Sequence, residues 1–150
     1  MKIAIGADHG GFELKNKLVQ FLGSLGHEVS DFGTDSKEPC DYPLIGYEVA
    51  KRVASGECDR GILICKTSIG MTMVANKLSG VRAASCRSTE EARSSREHND
   101  SNILSLGSRF VDEKAAEEIL KVWLVTEHAG GRHKRRVDQI SDIEKNVRGR

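Results

Sequence analysis

A cysteine stands directly after a short apolar run near the middle of the chain. Residues 61–64 read Gly-Ile-Leu-Ile, and Cys65 is followed by Lys-Thr-Ser-Ile-Gly over residues 66–70. The run is typical of a buried strand and the next segment of a helix, so the thiol would lie beside the N–H groups of a helix N-terminus, which favour the thiolate. The same N–H groups could hold a phosphate or a developing oxyanion.

Cys65 has a second interpretation, because an unpaired cysteine is usually one more small buried apolar residue. Its place at the end of the predicted strand favours a functional role. For Cys40, Cys58 and Cys86 we expect the structural role alone. The four cysteines form no C-x-x-C pair and have no histidines at the usual spacing of zinc ligands, so we expect free thiols and no metal site.

A second polar loop follows the first apolar run of the chain. Residues 6–11 read Gly-Ala-Asp-His-Gly-Gly. Asp8 and His9, flanked by glycines just past a buried strand, would make a polar wall for a small ligand. The alternative is that Asp8 caps the next helix while His9 faces water. The loop by itself leaves both interpretations open.

Residues 96–102 form a dense polar cluster that reads Arg-Glu-His-Asn-Asp-Ser-Asn. A helix that follows a parallel strand returns the chain to the amino edge of the sheet, so His98 should lie opposite the loops that hold Asp8 and Cys65. If His98 belongs to the same active site, it must therefore come from a second subunit. The alternative is that His98 and Asn99 only cap a helix and form a turn.

The one dense basic run lies near the C-terminus, where residues 130–136 read Gly-Gly-Arg-His-Lys-Arg-Arg. Arg132 and Arg136 are one helical turn apart and can project from a single face. Two guanidiniums so placed suit a phosphate that carries roughly −1.5 to −2 charges. The alternatives are a solvated helix face and a nucleic-acid patch, and the latter is disfavoured because no aromatic residues interleave the run.

Strands and helices must position these residues. Along the chain, apolar, β-branched runs alternate with segments whose apolar residues have a helical spacing, a pattern typical of a parallel sheet covered on both faces. Candidate strands cover residues 2–6, 28–32, 60–65, 81–85 and 103–107. Apolar residues keep a helical spacing over 12–25 and 47–54, and further helices fit 69–78, 89–98 and 113–126. Apolar residues at 137, 140, 143 and 147 predict a last helix that needs something to pack on, and a partner subunit is one candidate.

Composition narrows the class of protein. A chain of 150 residues fits a single domain spanning residues 1–150, and 23 basic against 22 acidic side chains give no general attraction to nucleic acid or membrane. The apolar stretch at the N-terminus is far shorter than the core of a signal peptide, and no stretch approaches the length of a membrane span. We therefore expect a cytoplasmic protein.

Six segments, which cover nearly the whole chain in order, together resemble ribose-5-phosphate isomerase type B. They are Asp8-His9-Gly10-Gly11-Phe12, Asp41-Tyr42-Pro43, residues 61–70, Ala75-Asn76-Lys77, residues 95–100 and Gly130-Gly131-Arg132-His133. The resemblance extends to the wider family, which includes galactose-6-phosphate and allose-6-phosphate isomerases. It implies an α/β Rossmann-like three-layer sandwich with a five-stranded parallel sheet. It also implies a homodimer, sometimes a tetramer, with shared active sites, a C-terminal helix packing on the partner subunit and no cofactor.

The resemblance also implies the roles of individual residues in interconverting an aldose and a ketose phosphate. Cys65 would remove the C2 proton, His98 would donate a proton for ring opening, and Thr67 would handle protons between the two oxygens. The positions implied for substrate binding are Asp8, His9 and Asn99 for the sugar, the backbone of Lys66, Thr67, Ser68, Ile69 and Gly70 for the enediolate, and Arg109, Arg132 and Arg136 for the phosphate.

One loop departs from the family pattern. The family usually reads Cys-Gly-Thr-Gly where this chain has Cys65-Lys66-Thr67-Ser68. Glycines in ligand loops permit positive φ or close backbone approach, so their replacement bears on the anion hole and the preferred sugar. The expected function is interconversion of ribose 5-phosphate and ribulose 5-phosphate. The alternatives are another sugar phosphate (galactose 6-phosphate, allose 6-phosphate or a tetrose phosphate) and a nonenzymatic phosphosugar-binding module.

Overall fold

The structure is a computed structural model that describes residues 1–148, without the side chain of residue 148. Its centre is a five-stranded sheet in which every strand pair is parallel, in the order β2-β1-β3-β5-β4. The strands are β1 (Lys2–Ala7), β2 (Glu28–Asp31), β3 (Arg60–Cys65), β4 (Ala83–Ser85) and β5 (Ile103–Gly107). The predicted five-stranded parallel sheet is confirmed.

Within residues 1–148, six helices accompany the sheet and complete the predicted three-layer Rossmann-like sandwich. They are α1 (Phe12–Ser24), α2 (Tyr42–Ala54), α3 (Ile69–Ala75), α4 (Thr89–Asn99), α5 (Glu113–Val125) and α6 (Gly131–Arg148). Successive side chains of β3 enter different cores. Ile62 and Ile64 pack with residues of α1 and α5, whereas Leu63 and Cys65 pack with residues of α2 and α3. Because both faces of β3 are covered, its sequence is apolar without alternation.

Several element boundaries differ from the prediction; α2, for example, begins at Tyr42 rather than at residue 47. The third helix ends at Ala75 rather than at residue 78, and the fourth strand begins at Ala83 rather than at residue 81. The Asn76 side chain accepts the Ala83 N–H at 2.8 Å and donates to the Ala83 carbonyl at 3.0 Å. A side-chain amide that pairs with a distant backbone in this way ends the helix and covers the outer edge of β4.

The last helix packs partly on its own chain. Val137 is buried, and the Glu144 carboxylate accepts the Gly80 N–H at 2.9 Å. Ile140, Ile143 and Val147 remain largely exposed beside a groove of about 610 Å³ that α6 forms with the start of β4. Packing of α6 on a partner subunit stays a prediction.

Within residues 1–148, no helix has both the length and the apolar character that crossing a membrane requires.

Candidate active site

A cleft opens at the carboxyl ends of β1 and β3, where ligands bind in open parallel sheets. It has a volume of about 430 Å³. Eight residues line it: Asp8, Tyr42, Cys65, Lys66, Thr67, Ile69, Gly70 and Met73. All but Tyr42 and Met73 are among the residues predicted for the site, so two separate loops of the sequence meet at one cavity.

Cys65 ends β3 at the base of this cleft, with 5% of the residue exposed. The Ser68 N–H donates a hydrogen bond to its Sγ atom at 3.2 Å. A backbone donor at this distance stabilises negative charge on sulfur. The first helical hydrogen bond of α3 is donated by Thr72 to the Ser68 carbonyl at 3.0 Å, so the N–H groups of residues 69–71 precede the helical ladder and remain available to a ligand.

Asp8 is buried, with 7% exposed, and its Oδ1 accepts the Gly10 N–H at 2.9 Å. The N-cap of α1 is Gly11, without a side-chain cap, so Asp8 does not cap that helix. A Cβ atom on Gly11 would lie 2.6 Å from the Ile64 carbonyl oxygen, and one on Gly10 would lie 3.3 Å from the Lys66 nitrogen. The two glycines therefore let the Asp8 loop lie directly against the Cys65 loop.

His9 faces a different cavity. Its Nδ1 accepts the Cys40 N–H at 3.2 Å, so the neutral ring carries its proton on Nε2. The exposed ring borders a cavity of about 370 Å³ that it shares with Lys37 and Ser108. His9 thus lies on the loop that forms the cleft but outside the cleft itself.

The loop after β5 completes the carboxyl edge of the sheet. The Ser108 N–H donates to the Cys65 carbonyl at 2.9 Å, and the Arg109 N–H donates to the Lys66 carbonyl at 3.1 Å. The Ser108 hydroxyl also donates to the Gly10 carbonyl at 2.6 Å. These bonds join three loops into one surface and place the exposed Arg109 beside the cleft.

The remaining predicted residues form a second group at the amino end of the sheet. Arg82, which precedes β4, donates from Nε to the Asn99 carbonyl at 3.2 Å. His98 stacks on His133 with ring centroids 4.3 Å apart. Gly130 and Gly131, at φ 68° and 54°, make the turn that starts α6 beside the end of α4.

This second group is basic. Partial burial lowers the pKa of His133 from its ordinary value, and the neighbouring His98, Arg132 and Arg136 lower that pKa further. A neutral ring among cationic side chains suits an anionic group such as a phosphate. The structure thus brings His98, Asn99, Arg132 and Arg136 into one region, but at the end of the sheet opposite Cys65.

A family model described as Ribose/Galactose Isomerase matches residues 3–140. The chain belongs to this family. Sequence identity to individual members of the ribose/galactose isomerase family also confirms the resemblance to ribose-5-phosphate isomerase type B. Ribose-5-phosphate isomerase B of Escherichia coli is 48% identical over 143 residues, which cover 95% of this chain and 96% of that protein.

A second curated member carries a different name. D-erythrulose-4-phosphate isomerase of Pectobacterium atrosepticum is 39% identical over 145 residues, with coverage of 96% of this chain and 95% of that protein. Among solved structures of the family, ribose-5-phosphate isomerase B of Clostridium thermocellum superposes with a TM-score of 0.96 at 53% identity. That match covers 98% of this chain and 99% of the other.

Three features of the two groups were missed by sequence reasoning. Tyr42 and Met73 line the cleft, and His133 stacks on His98. Tyr42 and His133 lie within segments that carry the family resemblance, which was the available signal, whereas nothing in the sequence marks Met73. Within residues 1–148, no group of three or more His, Cys, Asp or Glu side chains is placed to hold a metal ion.

Proposed function

We propose that the chain is an aldose–ketose isomerase, one domain over residues 1–150, that interconverts ribose 5-phosphate and ribulose 5-phosphate. Cys65 removes the C2 proton, and an enediolate forms. The observation that carries this proposal is the Cys65 sulfur at the base of a cleft, 3.2 Å from a backbone N–H donor. Membership of the ribose/galactose isomerase family supports the same reaction class.

The chemistry requires stabilisation of the enediolate, because a proton next to a carbonyl is otherwise too weakly acidic for a thiolate to remove. The N–H groups of residues 69–71 supply donors for the developing charge, and one such donor typically contributes about 3 to 4 kcal/mol in an active site. Thr67, at the same cleft, moves protons between the two sugar oxygens. This route uses neither a metal nor a cofactor.

Ring opening and phosphate binding require the second group of residues. We assign His98 as the acid that opens the sugar ring, Asn99 as a sugar ligand, and Arg132 and Arg136 as phosphate ligands, with Arg109 beside the cleft as a third. Asp8 binds the sugar from the cleft side of the first loop, and we assign His9, which borders the second cavity on the same loop, as a further sugar ligand. Because the two groups lie at opposite ends of one sheet, a complete site needs a second copy of the chain.

Exposed apolar side chains support assembly of such a homodimer. Leu44 and Tyr47 on α2 and Ile69 and Met73 on α3 are exposed, and Ile69 and Met73 line the cleft. Together with the exposed residues of α6, they give the chain apolar surface of the kind that marks protein interfaces. A mechanism that depends on a free thiol fits a reducing compartment, so we place the enzyme in the cytoplasm.

The test is a coupled isomerase assay on the purified protein. We expect turnover of ribose 5-phosphate and a loss of at least about a thousandfold in kcat for Cys65→Ala, because the base is removed. Cys58→Ala is the matched control, since Cys58 is a buried cysteine of the same core that precedes the other end of β3, and it should keep activity. Failure of the wild type to turn over either pentose phosphate would reject the proposal.

A second candidate keeps the chemistry and changes the sugar to a tetrose or hexose phosphate. It is favoured by the Pectobacterium relative and by Lys66, which lines the cleft with an exposed side chain where the family usually has glycine. A panel of phosphorylated sugars separates the two candidates. A kcat/KM for every other sugar phosphate at or below that for ribose 5-phosphate would reject the second.

A further inference from the structure

Ser68 has an unusual backbone conformation next to the proposed base. Its φ and ψ are 69° and −20°, in the left-handed region that L side chains rarely adopt. Within residues 1–148, Asp100 is the other non-glycine residue with positive φ. A conformation of this kind persists when surrounding contacts hold it in place.

Four hydroxyl contacts hold Ser68, one of them a hydrogen bond that the Thr72 hydroxyl donates to the Ser68 carbonyl at 2.8 Å. The Ser68 hydroxyl donates to the Thr67 carbonyl and lies 2.5 Å from the Ser85 hydroxyl. Since the single Ser68 hydroxyl proton is used on the carbonyl, Ser85 is the donor in the second contact. The Ser105 hydroxyl donates to the Ser68 carbonyl at 3.2 Å.

The sheet presents these two serines together. Ser85 on β4 and Ser105 on β5 are direct partners in the parallel register, so their side chains project from the same face. Ser68 and Ser105 are almost completely buried, with 1% and 0% exposed. Ser85 is itself exposed on the edge strand β4, so the burial of Ser68 and Ser105 protects these contacts from the side of the core.

The contact with the Thr67 carbonyl has a geometric consequence for the thiol. The Thr67 carbonyl and the Ser68 N–H belong to one trans peptide unit, so they point in opposite directions. A hydroxyl that holds the carbonyl on one side keeps the N–H directed to the other side. That N–H is the one that donates to the Cys65 sulfur at 3.2 Å.

We propose that Ser68 and Ser85 are positioning residues that fix the 67–68 peptide and thereby direct its N–H at the Cys65 sulfur. Neither hydroxyl needs to touch the substrate. The proposal rests on the proposed role of Cys65 as the base, but it predicts thiol reactivity even without turnover.

The test combines Ser85→Ala with two readouts. One is kcat and KM for ribose 5-phosphate, and the other is the rate of Cys65 alkylation by iodoacetamide at fixed pH, measured by mass spectrometry of the Cys65 peptide. We expect kcat to fall about tenfold with KM changed less than about twofold. The lost Ser85 hydroxyl affects the base through Ser68 and does not affect substrate binding. Alkylation should slow about fivefold. Ser85→Thr, which keeps the hydroxyl, should restore both rates, and Ser24→Ala at the exposed end of α1 is the control.

Repeating the Ser85→Ala substitution in a Ser68→Gly variant separates positioning from a general structural role. In Ser68→Gly the hydroxyl that Ser85 contacts is gone, so adding Ser85→Ala to that variant should change kcat less than about twofold. An equal fall of kcat in the wild-type and Ser68→Gly backgrounds would overturn the proposal, as would a change confined to KM.

The alkylation arm distinguishes this proposal from the proposed function. If the wild type lacks isomerase activity, the proposed function fails, and equal alkylation rates in wild type and Ser85→Ala then overturn the positioning role as well. Circular dichroism checks folding. Should Ser85→Ala not fold, Ser68→Gly, which removes the hydroxyl that contacts the Thr67 carbonyl, must slow alkylation or the proposal is wrong.

Discussion

The mouth of the cleft is shaped by a contact between Gly70 and the ring of Tyr42. A Cβ atom on Gly70 would lie 2.5 Å from Cζ and 2.8 Å from the hydroxyl oxygen of Tyr42, closer than any real contact. The ring belongs to the first turn of α2 and is partly exposed, so it can swing away without disturbing the core. Gly70 therefore sets the position of an aromatic wall of the cleft.

We expect Gly70→Ala to displace this wall and to lower kcat/KM for the sugar phosphate by about tenfold, because small displacements in a site are costly. The melting temperature should change little. Steady-state kinetics with a thermal melt provide the measurement. Gly23→Ala is the control, since a Cβ there meets nothing within 4 Å, and it should keep activity while gaining about 0.5 to 1 kcal/mol of stability. Unchanged kinetics in Gly70→Ala would contradict the role of the ring.

His133 should make stability depend on pH. Its pKa in the folded chain is lowered from 6.5 by partial burial and by the charges of His98, Arg132 and Arg136. As pH falls through 6.5, the unfolded chain binds a proton before the folded chain does, so stability is lost between 6.5 and the lower folded value. We expect His133→Asn to lose less stability than the wild type between about pH 7.5 and 5, as measured by urea midpoints. Parallel losses would show that another group is responsible.

At the level of elements, the segments that sequence reasoning placed best are the most buried ones. The bounds of β3 and β5 agree with the prediction because each is a short apolar run covered on both faces. The predicted end of α3 is wrong. The observed end depends on the contact between the Asn76 side chain and the Ala83 backbone, which the spacing of nearby apolar residues cannot indicate. Parallel topology likewise allowed His98 to be placed at the amino end of the sheet, a consequence of chain direction alone.

The parts of the candidate site that could not be predicted depend on contacts between distant segments. The residues of the Cys65 loop follow from a strand and the loop after it, so their convergence was predictable. The stacking of His98 on His133 depends on the turn at residues 130–131, and the position of Tyr42 depends on how α2 crosses α3. The departure at Ser68 was visible in the sequence, but its positive φ and its serine contacts were not.

A buried arginine fixes the end of α4, next to His98. Arg96 is 4% exposed and donates to the Asp100 carboxylate at 2.8 Å, the Ser101 carbonyl at 2.6 Å and the Thr126 carbonyl at 3.2 Å. Arg82 holds the other oxygen of the same carboxylate at 2.8 Å. The end of α4 is thereby joined to the segments that precede β4 and β5 and to the end of α5.

We expect Arg96→Ala to reduce the free energy of unfolding by about 2 to 4 kcal/mol. The half-buried Asp100 carboxylate and the two carbonyls that Arg96 contacts would each lose a hydrogen-bond donor. Urea denaturation measures the change. Arg93→Ala, on the exposed side of the same helix, should stay within about 0.5 kcal/mol of the wild type. Similar losses in both variants would mean that charge alone, rather than the buried bonds, is responsible.

For the whole molecule, the separation of Cys65 and His98 at opposite ends of the sheet decides how a complete site can form. In a two-fold dimer, each contact occurs twice, so one interface would create two sites. Each site would take its cleft from one copy and its imidazole and arginines from the other. In this arrangement a single copy would have half of each site.

Subunit mixing tests this arrangement. Cys65→Ala and His98→Ala each damage both sites of their own dimer, but a mixed dimer contains one site with both residues intact and one with neither. Random mixing of equal amounts makes about half of the dimers mixed, so activity should recover to about a quarter of the wild-type value. The variants should be unfolded and refolded together, so that subunits exchange, and assayed beside each variant refolded alone. Sites built within one chain would give only the average of the two variants, and that outcome would reject the shared site while leaving the role of Cys65 intact.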